Sequence, residues 1–98
     1  MIRVLLVEDQ AMVHGALSAL LSREQDIEVV AEVARGDEVV GAALTTQPDI
    51  ALLDIEMPRN DGLTTALALR KALPACRSVI LTTFGQQVFF AWPTVGHL

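Results

Sequence analysis

Hydrophobic and polar positions follow two rhythms along the chain. Short, β-branched-rich apolar runs predict strands at Ile2 to Val7, Ile27 to Val33 (IEVVAEV), Asp49 to Ile55 (DIALLDI) and Ser78 to Thr82 (SVILT). Between them, apolar residues recur at helical spacing. Met12, Val13, Ala16, Leu17, Leu20 and Leu21 predict a helix over Ala11 to Ser22. Gly36 and Asp37 open a second helix through Val39, Val40, Ala43 and Leu44, which closes before Pro48. Asn60, Asp61 and Gly62 make a turn, and Leu63 to Leu73 carries a third stripe that ends at Pro74.

Strands that alternate with helices and are apolar throughout indicate βαβ units, hence an α/β fold with a parallel sheet covered on both faces. The end of the chain breaks the rhythm. From Ser78 to Leu98 there is no Asp, Glu, Lys or Arg, and the aromatics Phe84, Phe89, Phe90 and Trp92 all fall there, with Pro93 among them. Three readings of this tail stay open on pattern alone: core packed on the sheet, a contact surface, or a foreign or truncated end.

Composition narrows the class. With 98 residues the chain is one domain or part of one. An apolar fraction of 52% supplies a core, and a net charge of −5 argues against an intrinsic nucleic-acid surface. Cys76 is the single cysteine, so no internal disulfide forms and a reducing, cytoplasmic setting is expected. The N-terminal apolar run is too short for a signal peptide, and no stretch predicts a membrane span.

The chemistry sits at the strand ends. Ligands of open parallel sheets bind beyond the carboxyl ends of the strands, where strand order reverses. The first strand ends in Glu8 and Asp9, the third in Asp54, and the fourth in Thr82 and Thr83. If these strands are neighbours, three carboxylates and a hydroxyl converge. Three like charges repel unless a cation intervenes, and Mg²⁺ suits a few carboxylates with retained waters and room for a phosphate. Asp is also a competent phosphoryl acceptor, and a Thr hydroxyl can hydrogen-bond a phosphoryl oxygen. Taken singly these residues are ordinary: an acidic pair after a strand often caps a helix, and Asp often ends a strand in a turn. Their joint occurrence at three strand ends is what carries weight. His14 reads as a partly exposed helix residue rather than a ligand, His97 has no carboxylate nearby in sequence, and Met12 and Met57 read as core or turn packing. Cys76 lacks a partner at motif spacing.

VLLVEDQ, ALLDIEMPRNDG and VILTTF together resemble the receiver domain of two-component response regulators. The resemblance covers residues 1–84, and VEDQAMVHGAL with LTTF has the flavour of the LuxR-type (NarL/FixJ) subgroup. It implies a flavodoxin-like (CheY-like) doubly wound sheet of order 2-1-3-4-5. It implies that Asp54 accepts a phosphoryl group from a sensor histidine kinase. Asp9 would ligate Mg²⁺ directly, Glu8 through water, and the Glu56 backbone carbonyl would add a ligand. Thr82 would be the switch hydroxyl, and Pro58 and Gly62 would shape the turn after the acceptor. Such a domain signals rather than turns over substrate, with at most self-catalysed phosphorylation and dephosphorylation at Asp54. Members of the subgroup usually add a DNA-binding helix-turn-helix domain, so this segment is not itself expected to bind nucleic acid.

One departure stands out. The family carries a Lys at the end of a fifth strand, whereas Lys71, the single lysine here, falls on the helix before the fourth strand. Residues 85–98 do not resemble the usual fourth helix, although VGHL faintly resembles the start of a fifth strand. The expectation is therefore an α/β core over residues 1–84 with an apolar aromatic tail over 85–98 in place of helix 4 and strand 5, the last strand and helix being incomplete or rearranged. A truncated or frame-altered regulator explains this best. An incomplete sheet leaves an edge open, and homodimerisation through that edge or through the aromatic tail is expected. The principal alternative is a non-catalytic interaction or dimerisation module that lost efficient phosphotransfer with its lysine. A phosphohydrolase of the haloacid dehalogenase type fits poorly, because it wants Asp where this chain has Glu56. No phosphate-binding glycine-rich loop follows the first strand.

Overall fold

The computed structural model describes residues 1–54, 62–84 and 87–91; at 11, 13, 62, 63, 82–84 and 87–91 it describes backbone alone. The elements run β1 (Ile2–Val7), α1 (Ala11–Ser22), β2 (Ile27–Val33), a 3₁₀ turn (Gly36–Glu38), α2 (Val39–Thr46), β3 (Ile50–Asp54), α3 (Gly62–Ala72), β4 (Arg77–Phe84) and β5 (Gln87–Ala91). One sheet carries all five strands in the order β2-β1-β3-β4-β5. The first four are parallel, as their two-sided apolar runs require.

Side-chain alternation divides the core into two layers. Leu5, Val7, Ala51, Leu53 and Ile80 meet Val39 and Ala43 of α2 and Ala66 and Leu69 of α3 on one face. Val4, Leu6, Leu52 and Leu81 meet Leu17 of α1 on the other. Leu5, Leu6, Leu53, Leu69, Val7 and Val39 are fully buried. Each contributes about 1.5–3 kcal/mol relative to exposure, which makes β1 and β3 the stiff centre of the fold.

β2 carries an irregularity with a visible cause. Val4 pairs with Val29 but Leu5 pairs with Ala31, so Val30 is an extra residue, a bulge rare in parallel pairs. The odd-numbered apolar residues of IEVVAEV would otherwise share one face. With the slip, Ile27 and Val29 pack towards α1, while Ala31 and Val33 pack towards α2.

At the N-terminal end of the sheet Asp49 ties three strands together. Its carboxylate accepts the Arg3 N–H at 2.8 Å, its own N–H donates to Arg3 at 2.8 Å, and its carbonyl accepts from Arg77 at 3.0 Å. The α2 helix stops at Gln47, a left-handed residue with φ of 52° whose N–H bonds Ala43, and Pro48 follows. Arg70 and Lys71 occupy the last turn of α3, where cations oppose the negative end of the helix dipole.

One expectation is corrected. Met12 is not core: it is 88% exposed. At about 100° per residue it lies roughly 140° around α1 from Leu17, which faces the sheet. The strand order 2-1-3-4-5 is as expected, and so is a rearranged last strand. β5 pairs antiparallel with β4, Leu81 opposite Phe90 and Phe84 opposite Gln87, so the two form a hairpin rather than a parallel crossover. The VGHL segment lies outside the described residues. No described helix is long and apolar enough to cross a membrane.

Candidate functional site

Parallel pairing with β1 between two neighbours places the strand-end acids together. Val7 pairs with Leu53, so the next residues, Glu8 and Asp54, emerge level with each other. Asp54 in turn pairs with Leu81, which leaves Thr82 one step further along β4. Among the described residues Glu8, Asp9 and Asp54 each offer a carboxylate oxygen within 4.8 Å of the others. The convergence expected from sequence is therefore present for the three acids. The side chain of Thr82, and all of Glu56, Met57 and Pro58, lie outside the described residues.

Glu8 is the most confined of the three, at 3% exposure. Its N–H donates to the Val33 carbonyl at 3.1 Å, and its carboxylate accepts the Gln10 N–H at 2.9 Å. Burial pushes its carboxyl up to about 7; the Gln10 hydrogen bond opposes this, while the hydrogen bond and charge of Asp54 and a hydrogen bond with Asp9 add to it. Crowded acids in a partly buried site favour the protonated form until a cation arrives. A second observation points the same way: Oδ1 of Asp9 is buried without a hydrogen-bond partner. An orphaned carboxylate oxygen is costly unless something positive occupies its free side. Three carboxylates converging within 4.8 Å suit a hard divalent cation, which takes carboxylates and keeps several waters.

Sequence reasoning missed a contact behind the acids. His14, on the first turns of α1, places Nδ1 2.8 Å from the Glu8 carbonyl and Nε2 2.6 Å from the Glu32 carboxylate. It was legible only as a partly exposed histidine, because Glu32 lies on a different element. Lys71 stands elsewhere: α3 returns the chain to the N-terminal end of the sheet, so its last turn lies at the end opposite the acids.

An open parallel sheet in this strand order with acids gathered beyond β1 and β3 defines a receiver-type phosphosignalling fold, and the comparisons agree. Residues 4–91 match the model of the response regulator receiver domain, and the chain belongs to that family. It is 41% identical over 90 residues to the transcriptional regulatory proteins YvfU and DesR of Bacillus subtilis, covering 92% of this chain and 45% and 44% of those proteins. The chain thus spans less than half the length of these curated relatives. Among solved structures, a LuxR-family two-component response regulator from Aurantimonas sp. SI85-9A1 superimposes with a TM-score of 0.79 at 30% identity, over 85% of this chain and 59% of that one.

Proposed function

We propose that this chain is a phosphoacceptor receiver in which Asp54 takes a phosphoryl group from the phosphohistidine of a sensor histidine kinase. The observation that carries the reading is the meeting of Glu8, Asp9 and Asp54 within 4.8 Å at the open end of the sheet. An Asp54 carboxylate oxygen attacks phosphorus, the phosphorus–nitrogen bond of the donor breaks, and the departing imidazole keeps the electron pair and takes up a proton. Mg²⁺ would neutralise charge on the transferring phosphoryl oxygens. Asp9, with its unpartnered Oδ1, and Asp54 would hold it directly, Glu8 through water, and the Glu56 carbonyl would complete the set. Thr82, one position along β4 beyond the strand partner of Asp54, would supply the switch hydroxyl. Phosphorylation would then shift the balance between two packings of the face around β4, and in a full-length protein bias a transcriptional output. The core over residues 1–84 carries this chemistry.

The rearranged end supports a second reading. The single lysine is placed away from the acids and β5 is an antiparallel edge strand, so a receiver-like module that dimerises through its open edge without efficient phosphotransfer is the alternative. Incubation with acetyl phosphate and Mg²⁺ separates the two. The phosphoacceptor reading expects a phosphoryl mass gain that is acid-stable and base-labile, absent from Asp54→Asn. No gain, together with a dimer indifferent to Mg²⁺ and donor by light scattering, would support the module instead.

A further inference from the structure

We propose that His14 and Glu32 form a brace that sets the cation affinity of the acidic site by holding the backbone of Glu8. The inference rests on the reading of that site as a Mg²⁺ site. Glu8 is gripped on both sides of its α-carbon. Its N–H is held by Val33 of β2 at 3.1 Å, and its carbonyl is held by the His14 ring at 2.8 Å. A carbonyl only accepts, so Nδ1 carries hydrogen and donates. The carboxylate of Glu32 stands 2.6 Å from Nε2, which donates there in turn. The ring is therefore fixed at both nitrogens, and its only freedom is to move with α1 and β2 together.

Glu32 reaches His14 from the strand whose next residue, Val33, holds the Glu8 N–H. One stretch of β2 thus controls both ends of the Glu8 peptide, directly at one end and through the imidazole at the other. Asp9 follows the clamped carbonyl, and its Oδ1 has no partner of its own. The α-carbon from which the Asp9 carboxylate reaches the site is therefore positioned by the clamped Glu8–Asp9 peptide plane. His14 touches neither the cation nor the phosphoryl group in this scheme. It is a positioning residue, as the outer partners of metal ligands commonly are.

The test measures Mg²⁺ affinity by titration calorimetry alongside the thermal midpoint in EDTA, for wild type, His14→Ala, His14→Arg, Glu32→Gln, Glu32→Ala and the double alanine variant. His14→Ala is expected to weaken Mg²⁺ binding about tenfold, the low end of what outer partners contribute. His14→Arg, whose guanidinium can donate to both acceptors, should restore most of the affinity. Glu32→Ala should weaken binding by a smaller factor, and the double variant should bind no worse than His14→Ala, since the two act as one unit. Glu32→Gln, a surface change that retains an acceptor, should stay within about twofold of wild type. Wild-type affinity in a folded His14→Ala or Glu32→Ala, with only the midpoint lowered, would overturn the brace. Failure of the wild-type chain to bind Mg²⁺ better than Asp9→Asn would instead overturn the reading of the site, and the brace with it.

Discussion

Val7 of β1 pairs with Leu53 of β3, and this one pairing brings Glu8 level with Asp54. Both partners are fully buried. The register is held by hydrophobic packing, because a slip of one residue would turn every core side chain of β3 to the wrong face. The site is thus an extension of the core, displaced one residue beyond it.

Leu53→Ala should therefore cost about 2–5 kcal/mol of stability, the range for deleting a fully buried leucine. Leu20→Ala on α1 is the control: Leu20 is 58% exposed, so the change should stay within about 0.5 kcal/mol. Urea denaturation followed by circular dichroism measures both, and equal losses would contradict the burial pattern.

The metal-free chain should lose stability as pH rises. The Glu8 carboxyl has a folded value of about 7 against an ordinary 4.5, so the folded state keeps a proton that the unfolded state releases. Its contribution is fully present below pH 4.5 and declines as pH climbs to about 7. His14 is raised above its ordinary 6.5, first by the Glu8 carbonyl and then by Glu32; its contribution is full below 6.5 and is lost as pH rises through the raised folded value. Mg²⁺ should reverse the trend by drawing Glu8 to its carboxylate, so the gain in thermal midpoint on adding Mg²⁺ should be larger above pH 7 than near 4.5. An equal gain at both would contradict the crowding of the acids.

Helix α2 offers two substitutions of opposite sign. Gly41 has open space where a Cβ would stand, so Gly41→Ala should stabilise by about 0.5–1 kcal/mol. Gln47 already sits at φ 52°, so Gln47→Val should cost about 1–2 kcal/mol, whereas Gln47→Gly should change little. Thermal melts of the three variants check the order.

Cys76 should be inert in the folded chain. It is buried at 6% exposure, and burial, with the nearby charge of Asp49, pushes its thiol above the ordinary range. A thiol-reactive chromophore should label it slowly in buffer and completely in denaturant. Rapid native labelling would show that the start of β4 opens readily.

Sequence made the first half of the fold legible because each layer is repeated by a periodic pattern. The bounds of β1, α1 and β2 coincide with their apolar runs, and the convergence of Glu8, Asp9 and Asp54 followed from the rule for strand ends. The hairpin of β4 and β5 was not legible: 85–98 has neither charge nor period to distinguish a crossover from a turn. Met12 misled because it is apolar, yet it falls on the opposite side of α1 from Leu17 and Leu21, which turn to the sheet. The link from His14 to Glu32 spans two elements whose relative placement no local pattern encodes.

Val30 inverts the phase of β2 halfway along its length. Upstream, Glu28 stands beside Arg3, on the face away from α1; downstream, Glu32 reaches His14 on α1. Excision of this one valine would rotate the downstream half by half a turn, send Ala31 and Val33 towards α1 and carry Glu32 to the opposite side. Core sorting and the support of the acidic loop would then fail together, which makes a single aliphatic residue the frame-keeper of both.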